Sequence, residues 1–182
     1  MKKWLLAAWA FLVCALASAQ QFSAGLNVVD LADFGTLNAE VSAALAQRWS
    51  VTASAKYNPY LFHRDEEPLS ARQRLYALGA RYWPWHVYSG WWLMGRVQYQ
   101  EYNRGGIRSP ETYEGDRYGV GIAAGYSYML HPHINLEVGA GLWGGYDRYT
   151  VYSCPVCGLT RETGNRYFLL PNDLMLTLSY VF

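Results

Sequence analysis

From Tyr118 the chain alternates without a break. Tyr118, Val120, Ile122, Ala124, Tyr126, Tyr128 and Leu130 share one parity, and Gly119, Gly121, Ala123, Gly125 and Ser127 the other. Only an extended strand sends every second side chain to the same face, so a helical reading of this stretch fails. The pattern returns at once after His131-Pro132-His133, a tight turn. Ile134, Leu136, Val138, Ala140 and Leu142 then lie on one face, with Asn135, Glu137, Gly139 and Gly141 on the other. Continuing the count gives strands over Phe22 to Leu31, Leu37 to Ala46, Trp49 to Tyr60, Arg72 to Trp83, Trp91 to Tyr102, Arg117 to Leu130, Ile134 to Tyr149 and Tyr167 to Phe182.

The joints between these strands have a rhythm of their own. Gln47-Arg48, Pro84 to Gly90 and His131 to His133 are short, whereas Leu61 to Ala71, Asn103 to Asp116 and Thr150 to Arg166 are long and polar. On the long side only Ala32 to Thr36 is brief. An even number of antiparallel strands, short turns at one end and long loops at the other describe an all-β, eight-stranded, up-and-down transmembrane β-barrel with both termini in the periplasm. After the N-terminal segment there is no apolar run long enough for a membrane-crossing helix.

That segment has the layout of a secretory signal peptide. Lys2 and Lys3 precede an apolar run from Trp4 to Leu16, and Ala17-Ser18-Ala19 supplies the small-residue cleavage pattern. Residues 1–19 are therefore expected to be removed, leaving a single domain over 20–182. Cys14 leaves with them, and the Val13 before it argues against a lipoprotein. The formal net charge is only +1, with no Lys/Arg cluster among the aromatics, which argues against nucleic acid as a partner.

Alternation by itself does not say whether the apolar face looks into lipid or into a core, as in a secreted soluble barrel. Isolated mid-strand charges, Glu40, Lys56, Arg81, Arg96 and Glu137, all fall on the polar parity, and the apolar parity carries none centrally. With the apolar face outward, these charges face the lumen. Glu40 and Lys56 are expected to meet as a cross-strand pair over the Gln47-Arg48 turn. Arg81, Arg96 and Glu137 would meet across the lumen, in the room left by the small residues Gly119 to Gly125. Buried charge persists when paired, so the expectation is an ion network plugging the barrel. The alternative is separate charges bathed in lumenal water.

Aromatics gather at both ends. Trp49, Tyr82, Trp83, Trp85, Tyr88, Trp91, Tyr126, Tyr128 and Tyr180 lie near the short turns. Tyr57, Tyr60, Tyr99, Tyr102, Tyr118, Tyr146, Tyr149 and Tyr167 lie near the long joints. Two such belts are what bilayer interfaces select, which makes outer-membrane lipids the expected surroundings. On this reading Val120 is a mid-bilayer position.

The last strand places Leu174, Leu176, Leu178, Tyr180 and Phe182 on one parity and ends on Phe182. Tyr180 and Phe182 thus resemble the terminal-aromatic signal by which outer-membrane barrels reach the barrel-assembly machinery. Several further stretches carry a family resemblance: Tyr57-Asn58-Pro59-Tyr60, Ala80-Arg81-Tyr82-Trp83, Gly119-Val120-Gly121-Ile122-Ala123-Ala124-Gly125-Tyr126, and Gly145-Tyr146-Asp147-Arg148-Tyr149 leading to Cys154-Pro155-Val156-Cys157-Gly158. On these the chain resembles a small family of outer-membrane proteins known as a domain of unknown function, within the OmpA/OmpX-like superfamily of eight-stranded barrels. The resemblance implies fold and Gram-negative outer-membrane location, and brings no catalytic residues. His131-Pro132-His133 departs from the basic-aromatic turn of that family.

Little in the chain carries chemistry. Cys154 and Cys157, spaced C-x-x-C in an outer loop of an exported chain, are expected to form a disulfide. A zinc site needs about two more ligands, and only His63 is on that side. A redox-active pair needs a helix N-terminus that this loop lacks. Gly139-Ala140-Gly141-Leu142-Trp143-Gly144 fits a dinucleotide-binding pattern, but the alternation runs straight through where a strand-to-helix turn is required. No cofactor or metal is expected. His63, Ser70, Asp65 and Glu66 crowd the second long joint and would serve a lipid-modifying enzyme; a solvated loop tip is the plainer reading. His86, His131 and His133 read as interfacial turn residues. The leading expectation is a structural or interaction barrel that displays its outer loops to an extracellular or cell-surface partner. A lipid A or phospholipid enzyme and a narrow pore are the alternatives.

Overall fold

The structure is a computed structural model that describes residues 21–64, 67–106, 110–155 and 158–182. Its elements are β1 (Phe22–Asn27), α1 (Val28–Ala32), β2 (Leu37–Ala46), β3 (Trp49–Asn58), β4 (Leu61–Arg64), β5 (Glu67–Tyr82), β6 (Gly90–Gly105), β7 (Thr112–His131), β8 (Ile134–Tyr152) and β9 (Thr160–Val181). Each strand pairs antiparallel with its neighbour in sequence, β9 returns to β1, and β3 and β4 are successive pieces of one stave, both paired with β5. The result is a closed eight-stranded antiparallel up-and-down barrel.

The apolar parity faces outward. Val120, Ile122, Val138 and Leu178 are 64%, 67%, 54% and 49% exposed, while Arg81, Arg96 and Glu137 are buried inside. At the upper edge of this outward face, cross-strand register makes an unbroken row of tyrosines: Tyr76 opposes Tyr99, Tyr99 opposes Tyr118, Tyr118 opposes Tyr146, and Tyr146 opposes Tyr167. At the lower edge Trp49 meets Tyr82 at 5.1 Å between ring centroids, Trp91 meets Tyr126 at 5.3 Å, and Tyr180 meets Phe182 at 4.9 Å. Between the two rows, for example from Trp91 to Tyr99, lies about 26 Å of strand.

Several expectations need correction. Tyr102 is buried in the lumen, and Tyr149 shares the parity of the buried Asp147, so neither belongs to the upper row. Tyr76 belongs there instead. At the other end Trp83 and Tyr88 are inside, because the Pro84 to Gly90 turn folds back into the barrel mouth: Val87 N–H donates to the Gln47 carbonyl at 3.0 Å. With Trp92, Met94, Ala123, Met175 and Val181 they form the apolar core at that end. Aromatics suit a core as well as an interface, so end placement alone did not separate the two roles.

The three joints expected as long loops are mostly paired strand. Leu61 opposes Ser70, Gly105 opposes Thr112, and Tyr152 opposes Thr160. Above the tyrosine row the outward side chains turn polar and hide the alternation, yet backbone pairing does not depend on apolar side chains. Cross-strand hydrogen bonds hold these extensions: Asn103 to Glu114 at 2.8 Å and Tyr99 to Asp116 at 3.0 Å.

The first strand stops at Asn27, not Leu31. The Asn27 side chain accepts from the Val29 N–H at 3.2 Å, and its amide donates to Asp30 at 2.9 Å and to the Leu174 carbonyl at 3.0 Å. An asparagine cap of this kind starts a helical turn where the alternation would have allowed a strand. The turn closes through Phe34 and Gly35, whose φ values are 52° and 71°.

Candidate functional site

The polar side chains of the lumen form three tiers. In the lowest, Arg81 from β5 donates from Nη1 to Glu137 Oε2 on β8 at 2.8 Å and from Nη2 to Glu40 Oε1 on β2 at 2.5 Å. Glu137 accepts a further bond from Ser179 at 3.2 Å. The guanidinium lies 4.7 Å from the Trp92 ring centroid, a cation–π contact. One arginine therefore ties three well-separated staves together.

The space expected over the small parity of β7 is taken by that indole. A Cβ on Gly125 would sit 2.4 Å from Trp92 Cζ2 and from the Val138 carbonyl oxygen, and one on Gly139 would sit 2.7 Å from Trp92 Cη2. Gly125→Leu is accordingly expected to displace Trp92 and destabilise the barrel by about 1–3 kcal/mol, read as a lower denaturation midpoint and an altered tryptophan emission. Below, Trp83 Nε1 donates to Ser50 at 3.0 Å, and the Tyr88 carbonyl accepts from Asn135 at 2.7 Å.

In the middle tier the Glu40–Lys56 pair is replaced by another. Glu40 opposes Ser54 and Lys56 opposes Asn38, so the two stand two residues apart on the same face. Lys56 reaches Asp30, carried in by α1, at 2.7 Å. Arg96 is buried beside them and borders a small cavity that it shares with Asp30, Glu40 and Lys56.

The upper tier centres on Asp147, which is fully buried. It accepts from Tyr102 Oη at 2.8 Å and Arg166 Nε at 2.8 Å, and Arg117 Nε stands 3.2 Å away. Arg117 also stacks 3.9 Å from the Tyr102 ring centroid. Asp33 in the α1–β2 connection pairs with Arg104 of β6 across the mouth, while Asn58 and Gln73 donate to Thr36 Oγ1 at 3.0 and 3.1 Å. Sequence reasoning missed this tier, although register carried the signal: Asp147 is the direct cross-strand partner of both Arg117 and Arg166. Above it opens a cavity of about 930 Å³ lined by Asn58, Gln73, Tyr102, Tyr149 and Asn165 among others.

The residues considered for catalysis are not gathered there. Ser70 is buried in the β4–β5 hairpin and donates to the Asn103 carbonyl at 2.9 Å. His63 lies in β4; its side chain, with Asp65 and Glu66, falls outside the described residues. His86 and His133 bond the carbonyls of Val87 and Val181 at 3.1 and 2.9 Å, and His133 stacks on Tyr180. Cys154 follows β8, and Cys157 is outside the described residues. Among the described residues no group of three His, Cys, Asp or Glu side chains could hold a metal. What the lumen offers is a stack of charge pairs that braces opposite walls, under a polar vestibule.

No curated protein and no solved structure matches this chain. Residues 5–182 match the family described as protein of unknown function (DUF3575), and the chain belongs to that family.

Proposed function

We propose that this protein is an integral barrel of a Gram-negative outer membrane, non-conducting, whose role is structural or interactive. Its paired outer hairpins would present their tips to an extracellular or cell-surface protein. The observation that carries this reading is the sidedness of the wall. An apolar outward face between two aromatic rows suits hydrocarbon and two interfaces, while the mid-strand charges Glu40, Lys56, Arg81, Arg96 and Glu137 are turned inward and paired or buried. A soluble barrel would gain nothing from that inversion, since exposed apolar area of this extent promotes association.

On this reading residues 1–19 are a cleaved signal peptide, both termini are periplasmic, and Tyr180 and Phe182 address the chain to the barrel-assembly machinery. The Arg81 cluster and the Trp83–Tyr88–Trp92 core act as the plug. Outer-membrane fractions run on SDS gels are expected to show different mobility when boiled and unboiled, and the purified protein is expected to give no steady conductance in planar bilayers. Identical mobility would remove the membrane reading; discrete ion conductance would replace the plugged barrel with a pore.

A further inference from the structure

The β7–β8 turn carries two histidines that the lumenal tiers do not use. β7 ends at His131 and β8 begins at Ile134, with His131 paired to Ile134, so Pro132 and His133 alone make the connection. Proline, with φ fixed at about −65°, removes one degree of freedom from this short link. The two imidazoles therefore stay neighbours: their ring centroids lie 6.4 Å apart with the planes at 40°, and both residues are exposed. His86, also on a short turn, bonds a carbonyl through Nδ1 as well, that of Val87 at 3.1 Å, but it sits on the separate β5–β6 connection.

His133 is the fixed member of the pair. Its carbonyl accepts the Val181 N–H at 2.8 Å, its Nδ1 lies 2.9 Å from the Val181 carbonyl oxygen, and its ring stacks on Tyr180 at 5.7 Å between centroids and 15° between planes. Tyr180 is held in turn by Phe182, edge-on at 4.9 Å. A carbonyl oxygen can only accept, so Nδ1 carries the hydrogen in this bond and Nε2 keeps its lone pair. Metal-ligating histidines share this arrangement: one ring nitrogen donates to a backbone carbonyl, which fixes the tautomer and the ring direction, and the other nitrogen binds. His131, exposed at the end of β7, is the adjustable member. A metal ion about 2.0–2.1 Å from each nitrogen holds two imidazole centroids roughly 5–6 Å apart, which side-chain rotation of His131 reaches from the observed separation. Imidazole suits Cu²⁺, Ni²⁺ and Zn²⁺, and affinity along the divalent series peaks at Cu²⁺. Two protein ligands leave the other coordination positions to water, so the bound ion exchanges readily.

We propose that His131 and His133 form an exchangeable binding site for a divalent transition metal, Cu²⁺ foremost, with water completing the coordination. The site stands whether or not the apolar wall meets lipid. The protein, purified without a histidine tag, refolded in micelles and checked by gel mobility, would be titrated with Cu²⁺ by calorimetry and the loaded form examined by electron paramagnetic resonance. One ion per barrel is expected in the tightest step, with the splitting pattern of two imidazole nitrogens. His131→Ala and His133→Ala are each expected to weaken that step about tenfold, because the second ligand acts at the high effective concentration of an intramolecular partner, and to reduce the pattern to a single nitrogen. His131→Ala leaves the ties between His133 and β9 in place, which covers the case in which His133→Ala fails to fold. His86→Ala is expected to leave both readouts unchanged. Binding that survives both His131→Ala and His133→Ala, that falls as far in His86→Ala, or that shows one nitrogen in the wild type is scattered surface binding, and any of these results overturns the proposal.

Discussion

Arg81→Met is expected to cost about 3–5 kcal/mol of folding stability, the scale set by removing one partner from a buried ion pair. Glu137 is nearly inaccessible and Glu40 is partly buried, and both bond the same guanidinium, at 2.8 and 2.5 Å. Without it two carboxylates face each other in the lumen with Ser179 as the remaining donor to Glu137. Methionine keeps the volume and the apolar stem, so the loss would report charge and not a cavity. The check is a denaturant titration of refolded protein in micelles followed by tryptophan emission, for which Trp92 is a local probe because it lies against the arginine. Adding Glu40→Gln and Glu137→Gln to Arg81→Met is expected to recover most of the loss, since a neutral cluster of similar volume carries no uncompensated charge. A single variant within about 1 kcal/mol of wild type would mean that lumenal water, and not the arginine, solvates these carboxylates.

The barrel itself was readable because period two is geometric: once β7 and β8 alternate about a turn at His131 to His133, the facing of every residue on them follows. What escaped depends on where the alternation is interrupted or loses its contrast. Glu40 and Lys56 share a face but stand two residues apart in register, and the partner that Lys56 does reach, Asp30, arrives on a helical turn that reads as strand. Tyr102 and Tyr149 read as outer-row residues because polar residues occupy both faces of the strands above that row, which removes the hydrophobic contrast that reports parity.

The Asp147 tier was hidden for a different reason. Its members lie on three strands, Arg117 on β7, Asp147 on β8 and Arg166 on β9, and become a cluster only when pairing is counted across two hairpins. The tyrosine row has the same origin, being a property of register and not of any one strand. Cross-strand neighbours, more than local pattern, thus carry the site, which is the general rule for stabilising pairs in sheets.

That row also sets the depth scale for the second large effect. On the membrane reading Val120, next to Tyr118, lies near the upper interface, whereas Ile122 stands midway between Tyr118 and Tyr126. Ile122→Arg is therefore expected to lose about 2–4 kcal/mol in a bilayer, Val120→Arg less, and Tyr118→Arg only about 0–1 kcal/mol, because a charge near the interface can reach water. All three positions point outward and are well exposed, so in a barrel surrounded by water the substitutions would be nearly equivalent and close to neutral. The comparison that decides is the slope of stability against depth, measured by denaturant titration in phospholipid vesicles. A flat series would place water at the apolar wall and overturn the membrane reading.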